Sequence, residues 1–201
     1  MQVMKTQLIK DILVSEPDGR LVTICGWVRT KRDSKNLCFI QVNDGSCFAT
    51  IQLTFDRENA NPNNENIENT LPNVTTGASI KATGKLIPSP ASGQAVEVAL
   101  ETLEVLGVSP SDYPLQKKGH TVEFLRENSH LRARTNMFGA VARMRSEMAF
   151  AVHSFFQEKG FFYFNAPLIT CSDCEGAGEM FQVTTLHMAR IAEEGIKAGA
   201  K

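Results

Sequence analysis

Apolar and polar positions alternate with a period of two along five stretches in the first half of the chain, then recur at spacings of three and four in the second. Val22-Thr23-Ile24 leads into Gly26-Trp27-Val28. Leu37 to Val42 follows, Asn43-Asp44-Gly45-Ser46 marks a turn, and Cys47 to Leu53 is expected to return as a strand. An Asp-Gly step between two alternating runs is a hairpin signal. The Asn-rich stretch Asn59 to Asn73, with two prolines, has no periodicity and reads as a loop or short irregular helix. Ala78 to Ile87 and Gln94 to Val105 complete the strands around a Pro-Ser-Pro-Ala-Ser-Gly turn. After a connector from Ser109 to Arg134, the positions Met137, Val141, Met144, Met148, Val152 and Phe155 predict an amphipathic helix over Asn136 to Phe156. Gly160 ends that helix, and Phe161 to Phe164 is expected to continue as a strand up to Pro167.

Five short strands within about a hundred residues predict a small closed barrel, with the oligonucleotide-binding (OB) barrel the leading candidate, and the whole chain an α+β protein. The strand period also sorts the side chains. Cys38, Ile40 and Val42 suit a core, as do Cys47, Ala49, Ile51 and Leu53, and then Val96, Val98 and Leu100. Phe39 is left to share a partly polar outer face with Gln41, Thr50, Gln52 and Glu97, with Glu97 and Glu101 pointing outward. Such a face suits single-stranded RNA, because an aromatic ring stacks a splayed base while amides and carboxylates read base edges. Arg29, Lys31, Arg32 and Lys35 surround one acid, Asp33, and suit phosphate contacts. The period alone equally allows Phe39 to belong to a second small core under the Asn-rich segment.

Composition changes this picture only at the margins. A formal net charge of -1 excludes a globally basic nucleic-acid binder but not a local basic patch. No apolar run is long enough to span a bilayer and the N-terminus lacks a signal-peptide pattern, so a cytoplasmic protein without membrane contact is expected. Five cysteines is an odd number, and Cys25, Cys38 and Cys47 fall in strand-like runs, which fits reduced thiols. Cys171 and Cys174 form one C-x-x-C pair without a second pair at ligand spacing, so no metal site is expected.

The residues then show a specific likeness. Gly26-Trp27-Val28-Arg29-Thr30-Lys31-Arg32, Phe39-Ile40, Asp44-Gly45 and Ile51-Gln52 together resemble the anticodon-binding barrel of class IIb aminoacyl-tRNA synthetases, the enzymes for aspartate, asparagine and lysine. The resemblance implies that Phe39 stacks an anticodon base, that Gln52 and Glu97 read base edges, and that Arg32 and Arg29 approach the RNA. Tyr113 to Lys118, Glu123-Phe124-Leu125-Arg126, His130-Leu131-Arg132 and Arg134-Thr135-Asn136 look like the hinge of the bacterial asparaginyl members. The long helix running to Gly160-Phe161 and Pro167 resembles the first class II signature, which builds a homodimer interface. Ser172 to Phe181 resembles the substrate loop after it, so Glu175 is implied to meet the amino acid's ammonium group. Without the family, Glu175 reads as a solvated loop acid.

The resemblance divides the chain into an OB anticodon-binding domain (1–107), a hinge (108–134), the start of a class II antiparallel-sheet catalytic domain (135–186) and an unrecognised, Ala/Gly-rich tail (187–201) that reads as a short helix. It implies ligation of asparagine to its tRNA, with the anticodon stem-loop of that tRNA, asparagine, ATP and Mg2+ as partners of the full-length enzyme. The second and third class II signatures do not occur, so no catalytic residue is placed within these 201 residues. The chain alone is expected to bind the anticodon but to hold no cofactor and activate no asparagine. The alternatives are a non-catalytic OB-fold RNA-binding module, a related aspartyl-tRNA synthetase and an asparagine-making paralogue.

Overall fold

The computed structural model describes residues 6–59, 61–91, 93–169 and 183–197. Five strands form: β1 (Leu21–Asp33), β2 (Leu37–Asn43), β3 (Ile51–Asp56), β4 (Ser79–Pro88) and β5 (Val96–Gly107). They close into a barrel in the order β1-β2-β3-β5-β4. β1 is long enough to pair antiparallel with β2 at its C-terminal half and with β4 at its N-terminal half, which turns the sheet back on itself. The parallel pair Leu53↔Val98 and Thr54↔Ala99 joins β3 to β5 and completes the closure.

Inward-facing positions on every strand meet in one apolar core that includes Val22, Ile24, Ile40, Leu53, Leu86 and Val98. Thr23, between the core residues Val22 and Ile24, is buried on the opposite face of β1, and its hydroxyl lies 3.0 Å from that of Thr83, its cross-strand partner. Each hydroxyl thereby satisfies the other. The Asn-rich segment is helical in part, as α2 (Asn64–Thr70) followed by a 3-10 turn at Leu71–Asn73. Its Ile67 and Leu71 enter the main core, while Asn61 and Asn63 donate side-chain hydrogen bonds to the backbone oxygens of Leu100 and Glu101. The amides that look loop-like in the sequence thus tie the segment to β5.

Three expectations are corrected. The strand expected from Cys47 begins only at Ile51. The Asp44 carboxylate accepts from Ile9 N at 2.8 Å and from Ser46 N and Oγ, while Asn43 Nδ2 donates to the oxygens of Cys47 and Ala49. These side-chain bonds hold residues 44–50 as a loop in place of a ladder. Glu97 lies on the outer face of β5, yet it is 5% exposed because the turn before β5 covers it. Phe161 to Phe164 is not a strand, since a strand exists only through pairing and no described strand pairs with it. A further short helix, α1 (Ile9–Leu13), places Ile9 and Ile12 in the barrel core and was not read from the sequence.

The connector holds α3 (Val122–Glu127), N-capped by the Thr121 hydroxyl, which accepts from Phe124 N at 3.3 Å. The long helix follows as α4 (Asn136–Glu158), and Gly160 lies beyond it at a φ of 85°. The chain packs as two units, Met1–Val152 and His153–Lys201. In the second, the His153 and Tyr163 rings meet edge to face at 4.8 Å, and α5 (Met188–Lys197) carries an Arg190–Glu194 ion pair. Glu175, the loop around it, Cys171 and Cys174 lie outside the described residues.

Candidate nucleic-acid interface

Alternation puts Phe39 on the outer face of β2, where the register sets it opposite Arg32 of β1 and Thr54 of β3. The ring is half-buried, and the exposed Arg32 guanidinium lies over it at 5.7 Å from the centroid. The apolar residues of the Asn-rich segment belong to the main core, so no second core forms over Phe39. Gln41 and Gln52 are cross-strand partners on the same face. Gln52 Nε2 donates to Glu97 Oε2 at 3.0 Å, and Gln94 Nε2 and Ser89 Oγ reach the same oxygen at 3.3 Å each. Glu97 Oε1 and Gln52 Oε1 accept nothing among the described residues. The face therefore presents an aromatic platform beside two oriented acceptors, backed by an acid held at 5% exposure.

Among the described residues Asp33 forms its ion pair with Arg57 and with none of Arg29, Lys31, Arg32 and Lys35. Arg57 Nη2 binds Asp33 at 2.9 Å, its Nε binds Glu68, and its Nη1 donates to Ser34 O at 2.6 Å. Its hydrogen bonds to Glu68, with a smaller contribution from the Asp33 carboxylate, outweigh desolvation and keep this guanidinium even more firmly protonated than usual. Arg57 so fixes the β1–β2 turn to α2 at one edge of the face. It was missed because Asp33, Arg57 and Glu68 are brought together only by barrel closure. Lys31 Nζ donates to Leu71 O at 2.7 Å on the opposite side of β1. Arg29 sits at the β1 bulge between Val28 and Thr30 and donates to the Arg134 carbonyl. Arg32 and Phe39 are thus brought together, as are Gln52 and Glu97, whereas Arg29 turns toward the connector.

Beyond Gln41, whose Oε1 accepts from Thr30 Oγ1 at 3.1 Å, the same face opens into a cleft of about 1030 Å³. The 44–50 loop, the connector and the start of α4 form its other walls. Arg134 lies 4.6 Å over the Trp27 ring and donates to the Tyr113 hydroxyl at 3.2 Å. Arg143 lies 4.9 Å over Phe48 and donates to Gly45 O at 2.5 Å. No single stretch of sequence signals this cleft, because Gly45 and Arg143 are 98 positions apart.

Comparison with known proteins bears on both regions. The profile of the OB-fold nucleic acid binding domain matches residues 22–106, and that of the class II tRNA synthetases (D, K and N) matches residues 121–192. The second match runs six residues into the tail left unrecognised in the sequence. The asparagine–tRNA ligase of Treponema denticola is 56% identical over 191 residues, covering 94% of this chain and 40% of that protein. That of Phocaeicola vulgatus is 51% identical over 193 residues, covering 96% and 40%. The chain spans about two fifths of the length of these curated relatives. A crystal structure of asparaginyl-tRNA synthetase from Pyrococcus horikoshii complexed with asparaginyl-adenylate superposes with a TM-score of 0.75 at 20% identity, over 90% of this chain and 41% of the other. That likeness speaks for the fold.

Proposed function

We propose, on the premise that the chain belongs to the asparagine–tRNA ligase family and matches the N-terminal portion of its members, that the outer barrel face binds the anticodon of an asparagine tRNA. The observation that carries this reading is the juxtaposition of Phe39 under Arg32 with the Gln52–Glu97 pair on one barrel face. Phe39 stacks an unpaired base, a contact of about 1–3 kcal/mol. Arg32 adds a cation to the stack or a phosphate contact. Gln52 and Glu97 each keep one free oxygen, so they take the N–H donors of a base edge. A base without such a donor leaves a nearly buried acceptor unpaired, which costs about 1–3 kcal/mol and so discriminates. Arg29, directed to the connector, approaches the RNA backbone from that side.

The whole protein joins asparagine to tRNA using ATP and Mg2+ in the cytoplasm, and Glu175 holds the ammonium group of the amino acid. Among the described residues no group of three or more His, Cys, Asp or Glu side chains gathers to hold a metal ion. The apolar side of α4 is the surface for a second copy. A reading as an RNA-binding module without ligase chemistry makes the same demands on the barrel. The relatives compared above charge tRNA with asparagine, which favours that amino acid over aspartate.

Phe39→Ala should weaken binding of an asparagine anticodon stem-loop by about 1–3 kcal/mol while leaving the melting temperature nearly unchanged. Titration of labelled stem-loop with the chain and this variant checks it, and equal affinities would remove Phe39 from the site.

A further inference from the structure

We propose that the cleft between barrel and connector is a second RNA subsite, which holds the phosphate and base of an unpaired nucleotide flanking those bound on the barrel face. This rests on the reading of the chain as an RNA binder. The first argument is continuity. Thr30 and Gln41, at the mouth of the cleft, are the next outward-facing pair along β1 and β2 after Arg32 and Phe39. Two residues of strand advance about 6.8 Å, a distance that one extended nucleotide step spans. A strand stacked on Phe39 therefore enters the cleft without changing direction.

The second argument is charge. Arg29, Lys117, Lys118, Arg134 and Arg143 line the cleft, and among the described residues no aspartate or glutamate does. None of the five forms an ion pair among the described residues, whereas Arg20, Arg57 and Lys85 elsewhere on the molecule do. In a chain of net charge -1, such segregation creates a local positive field in a concave site, where field lines concentrate.

The third argument is order. Arg134 is held over the Trp27 ring and against the Tyr113 hydroxyl, and Arg143 over the Phe48 ring with its head on Gly45 O. An arginine anchored in this way is positioned in advance, and a guanidinium can both stack on a base and donate to phosphate oxygens. Arg143 Nε is buried without an acceptor, so one donor in the wall is already unmet. The first turn of α4, through Asn136 and Met137, also lines the cleft and adds the positive end of a 23-residue helix. At about 1030 Å³ the space admits a whole nucleotide.

Trp27 is the only tryptophan of the chain and lines the cleft, so its fluorescence reports occupancy separately from total binding. The experiment titrates the full chain with a labelled asparagine anticodon stem-loop, reading RNA anisotropy and Trp27 emission together. Lys117→Ala/Lys118→Ala and Arg143→Gln serve as cleft variants, Phe39→Ala as the barrel variant, and ADP as a free-nucleotide probe. Both lysines are exposed, so their removal leaves the fold intact. The expected result is a change in Trp27 emission with RNA. The double lysine variant should bind roughly tenfold more weakly at low salt, irrespective of anticodon sequence, with a salt slope shallower by about 1–2. RNA binding that depends on Phe39 but leaves Trp27 emission and the cleft variants unaffected would overturn the cleft and spare the barrel. ADP moving Trp27 emission at concentrations as low as the RNA does would assign the cleft to a free nucleotide and overturn the proposal. Absence of RNA binding would overturn both.

Discussion

Cys38 faces the barrel core at zero exposure. Burial pushes its thiol up to about 11, with the nearby Asp33 carboxylate adding to the rise. The thiolate is the reactive form. At pH 8, thiol reagents should therefore modify Cys38 only as fast as the barrel opens, which timed labelling with mass spectrometry checks, and rapid native-state labelling would contradict its placement. At Asp44, burial pushes the carboxyl up, but hydrogen bonds from the Ser46 hydroxyl and the Ile9 and Ser46 amides outweigh it and leave the group below the ordinary carboxylate range. A group lowered on folding stabilises above its unfolded pKa and loses that contribution as pH falls through the folded one. Asp44→Asn should then lower stability by about 1–2 kcal/mol at neutral pH, with the gap closing below about pH 4. Chemical denaturation of both proteins across pH tests it; a gap independent of pH would remove the charge from the account. At this scale the sequence made Phe39, Gln52 and Glu97 legible, because a period of two sorts faces. It did not show that Glu97 is covered, since Ser89 and Gln94 reach it only through the conformation of the turn.

Among the elements, the strands were legible to within a few residues wherever alternation was uninterrupted, as in β2 and β4. The late start of β3 and the existence of α1 escaped notice for a shared reason. Asp44 bonds backward to the N–H of Ile9, 35 positions away, and a five-residue helix without a side-chain cap carries no period to detect. The Phe161 to Phe164 run shows the converse limit, because strand propensity is not a strand without a neighbour. Gly84 offers the sharpest element-level test. It lies at the irregularity where β4 meets β5, and a Cβ there would come within 2.1 Å of Ala99 O. Backbone cannot give way as a side-chain tip can, so Gly84→Ala should destabilise the barrel by roughly 2–3 kcal/mol. An unchanged denaturation midpoint would mean that β4 and β5 approach less closely than described.

The molecule as a whole carries a partly polar face on a closed barrel and exposed apolar side chains along its long helix. Met144 and Met148 are 62% and 61% exposed. An apolar surface of this kind drives association. The chain should therefore scatter light as more than a monomer at micromolar concentration, and Met144→Glu/Met148→Glu should shift it toward monomer without altering affinity for RNA. A wild-type chain that stays monomeric would leave this helix face without the partner assigned to it. Both the helix and its apolar stripe were legible in the sequence, whereas the barrel–connector cleft was not, because it draws on residues scattered from Trp27 to Arg143.

The measurement that bears most directly on the central claim is the affinity of the chain for an asparagine anticodon stem-loop beside an otherwise identical stem-loop with its anticodon replaced. The Gln52–Glu97 acceptors should make the first bind more tightly by at least about tenfold, or roughly 1.4 kcal/mol. Equal affinities would mean that the barrel holds RNA by stacking and charge alone and does not read the anticodon.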